Sequence, residues 1–466
     1  MASSSTIPKA ATIHELCHVA PTATADSAAE QRLSVTFFDM PWLNFHSIRR
    51  LLFYQFPCSK SHFLETIVPN LTKSLSKTLK NYRPLAGNLL YPLNSDMPEF
   101  RYVPGDSVPV TIAEANEASD FDYLTGNQSR IADEFYPFVP DLPEPRIDSE
   151  SGFKIVPLFS VQITLFPGSG ICIGFCNHHS IGDASSIVGF MKAWSSVCRL
   201  GGDDELWDQS VPFPFYDRSV IKDPLGLKNI FWNKLKGIKI EAVPLTFPTN
   251  LVRATYVLHK NDIQKLKNLV LSKNPDSPHV SSFTVTAAYV WTCLVKSAAE
   301  AGEEVDPDEP EYFAFAVDAR ARLNPPVSSD YFGNCLALAK TASTHRRLKD
   351  ADGFFTAAKL IGDLISEKVN KRDEVLSDAA TWFTDYLALF GKRLFSVSGS
   401  PKFNLYEMDF GWGNPKKHEA VSIDGGSSMS LSKSGQSDGG LEICLSLPKL
   451  KMDAFATVFL DEIMKP

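Results

Sequence analysis

Residues 158–198 read LFSVQITLFPGSGICIGFCNHHSIGDASSIVGFMKAWSSVC and carry the strongest fold signal in the chain. Leu158–Phe166 and Ile171–Asn177 are β-rich and flank the turn Pro167-Gly-Ser-Gly170, which predicts an antiparallel hairpin. From Ala184 to Cys198, apolar residues recur on one face at helical spacing. A buried strand that leads through a short polar segment into a helix is typical of mixed α and β folds. Such strand ends often carry reactive side chains.

The rest of the chain supplies further elements of both kinds. A long helix is predicted from Ser61 to Asn81, and Pro69 should kink or split it. Residues 200–250 have no periodic apolar pattern, which predicts a crossover between two halves. Later helices are predicted over Asp262–Ser272, Phe283–Ser297, Gly353–Asn370 and Met452–Met464, and strands over Arg253–Leu258, Tyr312–Val317, Lys402–Asp409, Ala420–Ile423, Met429–Lys433 and Leu441–Leu447.

The composition is that of an ordinary globular protein. Of 466 residues, 44% are hydrophobic and 21% are charged, which excludes a largely disordered chain. The net charge of −8 argues against the broad basic surface of a nucleic-acid-binding protein. We see no signal peptide and no apolar run of the roughly 20 residues that span a bilayer. The eight cysteines are scattered without a disulfide pattern, so we expect a cytoplasmic protein with free thiols.

His14-Glu-Leu-Cys-His18 matches the HExxH string of zinc proteases. That chemistry needs a helix with both histidines on one face, a third ligand and an open metal position. The string lies between Pro8 and Pro21 without a companion ligand motif, and a short β segment fits it equally well. We therefore expect no metal site.

Gly435-Gln-Ser-Asp-Gly439 matches the nucleophile elbow of serine hydrolases. That elbow lies between a strand and a helix. Here an alternating strand pattern follows, so we expect a polar hairpin turn.

His178-His179-Ser-Ile-Gly-Asp183 lies between the predicted hairpin and its helix. Neighbouring strand residues point to opposite faces, so only one of the two histidines can face a given cavity. Histidine is well matched to proton transfer at neutral pH. A buried structural His179 followed by Asp183 as helix N-cap explains the segment about equally well. The motif alone leaves both interpretations open.

Three further segments accompany this motif, namely Val317-Asp-Ala-Arg320, Tyr331-Phe-Gly-Asn-Cys335 and Asp409-Phe-Gly-Trp-Gly413-Asn-Pro. In this order, and together with His179-Ser-Ile-Gly-Asp183, they resemble the BAHD family of plant acyl-CoA-dependent acyltransferases. The resemblance covers nearly the whole chain. The Tyr331–Cys335 segment is similar to the branch that acylates anthocyanin and other flavonoid glucosides.

The resemblance implies an α/β (mixed α+β) fold with two chloramphenicol-acetyltransferase-like domains and a solvent channel between them. We expect an N-terminal domain over residues 1–200 with HxxxD, a crossover loop over 201–225, and a C-terminal domain over 226–466 with DFGWG. His179 is then near the middle of the channel. Acyl-CoA is implied as a co-substrate, with no permanently bound cofactor, and the protein is expected to act as a monomer without nucleic-acid or membrane partners.

The resemblance also implies roles for the motif residues. His179 is the general base that takes the proton of the acceptor hydroxyl as it attacks the thioester carbonyl. Asp183 is structural, turned away from His179 and paired with Arg320.

The Asp409–Gly413 segment is too apolar and glycine-rich for acid–base chemistry, and we expect it to shape the channel wall. Its expected structural members are Asp409, Gly411, Trp412 and Gly413.

Coenzyme A is anionic and needs local donors in an acidic protein. Ser281, Ser282 and Thr284 are candidates, because they precede an apolar helix whose N-terminus can bind phosphate. A plain N-cap explains the same residues equally well.

The acyl group is less well determined. A malonyl carboxylate needs a cation or several donors, whereas a hydroxycinnamoyl ring needs an apolar slot. The stretch Ala184–Phe190, which follows Asp183, contains no Arg or Lys, and Gly440–Pro448 is most similar to enzymes that transfer aromatic acyl groups. We therefore expect hydroxycinnamoyl transfer to a sugar hydroxyl of an anthocyanin or other flavonoid glucoside. The alternatives are malonyl transfer, an amine-acylating enzyme, and a non-catalytic small-molecule binder on the same fold.

Overall fold

The fold is described from a computed structural model of the chain. The structure describes residues 10–23, 29–94, 96–201, 213–236, 249–273, 279–370, 374–426 and 428–464, together with residues 247 and 275. Much of the predicted crossover loop, residues 202–212, lies outside the described residues.

The strands form three sheets. In chain order the strands are β1 (Ala11–Val19), β2 (Gln31–Ser34), β3 (Ile48–Tyr54), β4 (Asn88–Pro92), β5 (Glu99–Tyr102), β6 (Val108–Ala115), β7 (Arg130–Ile131), β8 (Arg146–Asp148), β9 (Phe153–Pro157), β10 (Phe159–Phe166), β11 (Gly170–Asn177), β12 (Leu251–Leu258), β13 (Pro310–Asp318), β14 (Leu336–Thr344), β15 (Arg393–Ser398), β16 (Lys417–Ala420), β17 (Ser428–Lys433) and β18 (Leu441–Pro448).

The helices pack in two groups, with α5 against α2, and with α8 against α7, α10 and α12. No described helix is both long enough and apolar enough to cross a bilayer. The helices are α1 (Lys60–His62), α2 (Val68–Leu79), α3 (Arg83–Ala86), α4 (Phe121–Thr125), α5 (Ala184–Arg199), α6 (Leu227–Leu235), α7 (Lys260–Lys273), α8 (Ser282–Glu300), α9 (His345–Lys349), α10 (Gly353–Ile365), α11 (Trp382–Ala388) and α12 (Lys449–Met464).

The sheets confirm the expected mixed α and β fold. Their strand orders are β1-β6-β10-β11-β3-β16, β14-β13-β15-β17-β18-β12-β7 and β2-β5-β4-β9-β8. The predicted hairpin is present as β10 and β11, with Phe159 opposite Asn177 and Phe166 opposite Gly170. The boundaries at residues 200 and 226 stay a prediction. Two strands pair across them, because β16 joins β3 of the first sheet and β7 joins β12 of the second.

A buried ionic cluster lies where these strands pair across the predicted domain boundaries. Glu419 on β16 accepts from Arg130 on β7 at 2.6 Å and from Arg253 on β12 at 3.3 Å. Arg253 also pairs with Asp424. All four side chains are buried, and the charges compensate one another, which is the condition under which ion pairs are tolerated away from water. The cluster therefore ties the first sheet to the second.

The helix around Pro69 splits as predicted. It consists of α1, a π-helical turn over Phe63–Ile67, and α2. Pro69 lies in the first turn of α2, where a missing N–H removes little from the hydrogen bonding of that segment. The π turn directly before it accommodates the interruption.

Two predicted strands are wrong. Residues 402–409 form turns and a short 3-10 turn at Leu405–Glu407, in which Leu405 and Tyr406 are buried anchors rather than strand positions. The strand predicted over Ala420–Ile423 lies earlier, as β16, and Val421–Gly425 is a 3-10 turn. Charged residues of β16 are buried by ion pairing, so apolar alternation did not mark this strand.

The HExxH and G-x-S-x-G strings both lie in β structure, the first in a strand and the second in a turn between strands. His14 and His18 lie on the edge strand β1, where His14 Nε2 is 2.8 Å from Glu114 Oε2, so the β interpretation is confirmed. No group of three metal-binding side chains occurs in the part of the chain that the structure describes. Gly435–Gly439 is the turn between β17 and β18, which confirms the hairpin interpretation.

Candidate active site

His179 begins a 3-10 turn directly after β11 and is half-buried. The Trp42 ring stacks on its imidazole with centroids 3.9 Å apart and an interplanar angle of 8°. Phe45 meets the same imidazole edge-on at 5.4 Å. These two rings fix the plane of the imidazole and keep water from one of its faces.

The protonation state of His179 follows from its surroundings. Its Nδ1 is buried and, among the described residues, faces only its own backbone carbonyl. Burial, with smaller contributions from His46, His178 and Arg50, lowers the pKa of His179 to about 3, against the opposing effect of that carbonyl. The imidazole is therefore neutral at pH 7. In the tautomer with the proton on Nδ1, Nε2 is free to accept a proton.

His178 has a different role from its neighbour. It is buried, and its Nδ1 lies 2.7 Å from Ser180 Oγ and accepts from the Ser180 backbone N–H at 3.3 Å. Burial, and then Lys154, lower the pKa of His178 to about 4. His178 thus caps the turn, and His179 is the member of the pair with an open nitrogen.

Asp183 forms the expected pair with Arg320. Its Oδ2 accepts from Arg320 Nη1 at 2.8 Å and from the Cys335 backbone N–H at 3.1 Å. Its Oδ1 accepts from Arg320 Nη2 at 3.1 Å and from the Ser186 backbone N–H at 3.2 Å, which caps α5. In the described residues the carboxylate makes no hydrogen bond to His179. Asp183 therefore holds the loop and the helix rather than the imidazole.

Asn334, within the Tyr331–Cys335 motif, supports the histidine turn, a role that was not predicted from the sequence. Its fully buried side-chain amide donates to the backbone carbonyls of His179 at 3.0 Å and Ser180 at 2.9 Å. Asp39 Oδ1 in turn accepts from the Asn334 side chain and backbone, each at 3.1 Å. Two signals were available, namely the place of Asn334 in the Tyr331–Cys335 motif and the lone carboxylate of Asp39 in the apolar stretch before Trp42, because a buried carboxylate needs partners.

The Asp409–Gly413 loop is a tight turn closed by its own aspartate. Asp409 Oδ1 accepts from the backbone N–H of Gly411 at 2.7 Å and of Gly413 at 2.8 Å. Both glycines have positive φ, +101° and +87°, which L side chains rarely adopt. Trp412 stacks on Phe56 with centroids 5.6 Å apart.

This loop lies far from His179. The Tyr54 hydroxyl donates to the Met408 carbonyl at 2.8 Å, so the loop docks at the end of β3. Tyr54 is opposite Ile171, whereas Ile48 is opposite Asn177, the residue that leads into the histidine turn. The six intervening strand steps span roughly 20 Å. The loop therefore has no direct part in proton transfer at His179.

The candidate CoA residues form a helix cap. Ser281 Oγ accepts from the Thr284 backbone N–H at 3.1 Å and lies 2.9 Å from its hydroxyl, so the N-cap alternative is present. Thr284 is fully buried, whereas Ser281 and Ser282 are partly exposed. CoA binding at this helix terminus stays a prediction, and it would use Ser281, Ser282 or backbone N–H groups.

Four wholly or partly buried histidines predict acid-sensitive folding. Burial is the main cause that lowers the pKa of His46 and His178 to about 4, and of His179 and His418 to about 3. Below a pH of about 6.5 the unfolded chain takes up protons that the folded chain does not, so the free energy of unfolding decreases as the pH falls. We expect the Tm, measured by differential scanning fluorimetry at fixed ionic strength, to fall between about pH 7.5 and 5.5. A Tm that stays level or rises over this range contradicts the assignment.

Comparisons with known proteins agree over almost the full length. The sequence model of the Transferase family matches residues 18–461. The chain is 48% identical to malonyl-coenzyme:anthocyanin 5-O-glucoside-6'''-O-malonyltransferase of Salvia splendens, covering 97% of this chain and 96% of that protein. It is 47% identical to phenolic glucoside malonyltransferase 1 of Nicotiana tabacum, with 96% and 98% covered.

A more distant relative carries a different acyl group in its name. Coumaroyl-CoA:anthocyanidin 3-O-glucoside-6''-O-coumaroyltransferase 2 of Arabidopsis thaliana is 34% identical, with 97% of each chain covered. Among solved structures, vinorine synthase has the same fold, with a TM-score of 0.70 at 21% identity over 97% of this chain and 98% of that one. The motifs, the fold and the family match agree with one another. The chain belongs to the BAHD transferase family and is an acyltransferase that uses acyl-CoA as its co-substrate.

Proposed function

We infer that the protein transfers a malonyl group from malonyl-CoA to a sugar hydroxyl of an anthocyanin or other phenolic glucoside. The observation that carries the acyl-transfer step is the state of His179, a neutral imidazole held by Trp42 with Nδ1 turned inward. That arrangement leaves Nε2 as a positioned base.

The reaction follows from this base. A sugar hydroxyl is a poor nucleophile at neutral pH, and an imidazole within about 3 Å can remove its proton as it attacks. The hydroxyl oxygen bonds to the thioester carbonyl carbon and gives a tetrahedral intermediate. When this collapses, the carbon–sulfur bond breaks and His179 returns the proton to sulfur. The products are the ester and free CoA, and no covalent acyl-enzyme is required.

The choice of malonyl over hydroxycinnamoyl reverses our expectation from the sequence. Both relatives with malonyl names are more similar to this chain than the coumaroyltransferase is. Hydroxycinnamoyl transfer remains the second candidate. It is favoured by the aromatic side chains of Trp42 and Phe45 beside His179, because a cinnamoyl ring needs an apolar slot.

The remaining site residues have supporting roles in this proposal. Asp183 and Arg320 hold the histidine loop, and the Asp409–Gly413 turn with Trp412 shapes the wall of a channel between the two domains. Ser281 and Ser282 contribute to CoA binding. All eight cysteines are free thiols, which supports a reducing compartment such as the cytoplasm, and we propose a monomer.

The test measures thiol release by the purified protein with cyanidin 3,5-diglucoside as acceptor. Malonyl-CoA and p-coumaroyl-CoA are compared as donors, and a reaction without acceptor measures thioester hydrolysis. We expect kcat/KM for malonyl-CoA to exceed that for p-coumaroyl-CoA by about tenfold or more, since one well-placed charged contact contributes that much. A preference for p-coumaroyl-CoA selects the second candidate. An absence of turnover with both donors rejects this acceptor, and simpler phenolic glucosides and amines are tested next.

A further inference from the structure

We propose that Arg50 binds the free carboxylate of the malonyl donor beside His179. It thereby selects acyl groups that carry a free carboxylate. This inference rests on the proposed malonyl transfer and names the residue that determines its donor. Arg50 comes from β3, more than a hundred residues before the histidine motif.

The strand register brings Arg50 toward His179. Arg50 on β3 lies opposite Phe175 on β11, and His179 follows four residues later. That separation is at most roughly 13 Å along an extended chain, a distance that an arginine side chain and a malonyl group can span together. The charge of Arg50 contributes to the lowered pKa of His179, which agrees with this proximity.

Arg50 has no anionic partner in the described part of the chain. Its one side-chain hydrogen-bonding contact is between Nη1 and Nε2 of His418, at 3.4 Å. Burial lowers the pKa of His418 to about 3, so this ring is neutral at pH 7. It therefore supplies no negative charge to balance the guanidinium. Burial also lowers the pKa of Arg50 itself, to about 10. The guanidinium is thus a half-buried cation without an anionic partner among the described residues.

The neighbouring arginines show that this state is unusual in this protein. Arg49, the adjacent residue, bonds to Asp141 at 2.5 Å. Arg130 and Arg253 are both paired with Glu419. A partly buried cation without an anion is less stable than a paired one, and a carboxylate that arrives with a ligand supplies the missing partner. Arg50 is half-buried rather than sealed, so a ligand can reach it.

The chemistry of guanidinium matches a malonyl carboxylate. Its parallel N–H groups bind the two carboxylate oxygens in a bidentate pair, which gives both affinity and orientation. Acetyl and hydroxycinnamoyl groups lack this carboxylate and gain nothing from Arg50. The arginine therefore discriminates between donors without taking part in proton transfer.

The test compares Arg50→Gln with wild type on malonyl-CoA and acetyl-CoA, which differ only in the carboxylate. We expect kcat/KM for malonyl-CoA to fall by about 100-fold and that for acetyl-CoA to change by no more than about threefold, since the charged hydrogen bonds lost serve only the malonyl group. Arg49→Gln is the matched control, because the adjacent side chain points to the opposite face of the sheet. It should keep the malonyl preference.

Two further measurements distinguish the loss of carboxylate binding from damage to the fold. Arg50→Lys retains the charge and should retain a malonyl preference between those of wild type and Arg50→Gln. Binding of each CoA ester without acceptor, by isothermal titration calorimetry, should show a weaker Kd in Arg50→Gln for malonyl-CoA alone. An equal loss with both donors, or an unchanged malonyl preference, overturns the role of Arg50. Absence of malonyl turnover in wild type instead overturns the proposed function.

Discussion

Replacing His179 with alanine should lower kcat/KM for acyl transfer by about 10³-fold or more, because a positioned general base contributes that order of rate enhancement. The folded state should survive the change. The imidazole makes no side-chain hydrogen bond to another described residue, and its partners are the rings of Trp42 and Phe45. We expect the Tm to change by only a few degrees. Thiol release and differential scanning fluorimetry on the same preparation measure both quantities.

His179→Gln separates basicity from shape in this prediction. Glutamine fills similar space and forms hydrogen bonds, but its amide cannot accept a proton at neutral pH. It should be nearly as inactive as alanine. His14→Ala is the control, since this histidine lies on the exposed edge strand β1 and should leave the rate unchanged. A His179→Ala enzyme that keeps more than about a tenth of the wild-type rate contradicts the general-base assignment.

Local patterns predicted the parts of the fold where burial and periodicity agree. The hairpin of β10 and β11 and the following helix α5 are present with small shifts at their ends. Asp183 caps that helix, as its position suggested. In these segments each strand or helix places its apolar residues in the core. The spacing of apolar residues in the sequence therefore predicts both the type of element and the residues that are buried.

The sequence hid the parts of the site that depend on buried polar contacts. Strand β16 contains Lys417, His418 and Glu419, which are typical of a surface segment, yet all three are buried. Their burial depends on partners that are distant in sequence, and hydrophobic periodicity carries no signal for such pairs. Asn334 was missed for the same reason, because it holds His179 from 155 residues away.

A cation for the malonyl carboxylate could not be predicted from the residues near the motif either. The stretch Ala184–Phe190, which follows Asp183, contains no Arg or Lys. In our proposal the cation is Arg50, which strand pairing places opposite Phe175 on β11. The pairing of Asp183 with Arg320 was expected only through the family resemblance, since the residue pattern alone does not connect positions 137 apart.

Replacing Asp183 with alanine should abolish activity by damaging the structure. The change removes the bidentate partner of the buried Arg320, and breaking such a pair commonly costs about 3–5 kcal/mol; losing the cap of α5 adds about 1 kcal/mol. The partly exposed Asp318, whose Oδ1 lies 3.2 Å from Arg320 Nη1, remains as an anionic partner but cannot replace the two contacts of Asp183. We expect the Tm to fall by about 5 °C or more, together with the loss of turnover.

A second substitution decides between a structural and a catalytic Asp183. Combining Asp183→Leu with Arg320→Met removes both charges, and apolar replacement of a buried ion pair is often neutral or stabilising. The double variant should therefore have a higher Tm than Asp183→Ala, and part of the activity should return, because His179 and its contact with Asn334 are untouched. If Asp183→Ala instead keeps the wild-type Tm and still loses turnover, the carboxylate acts on the reaction itself.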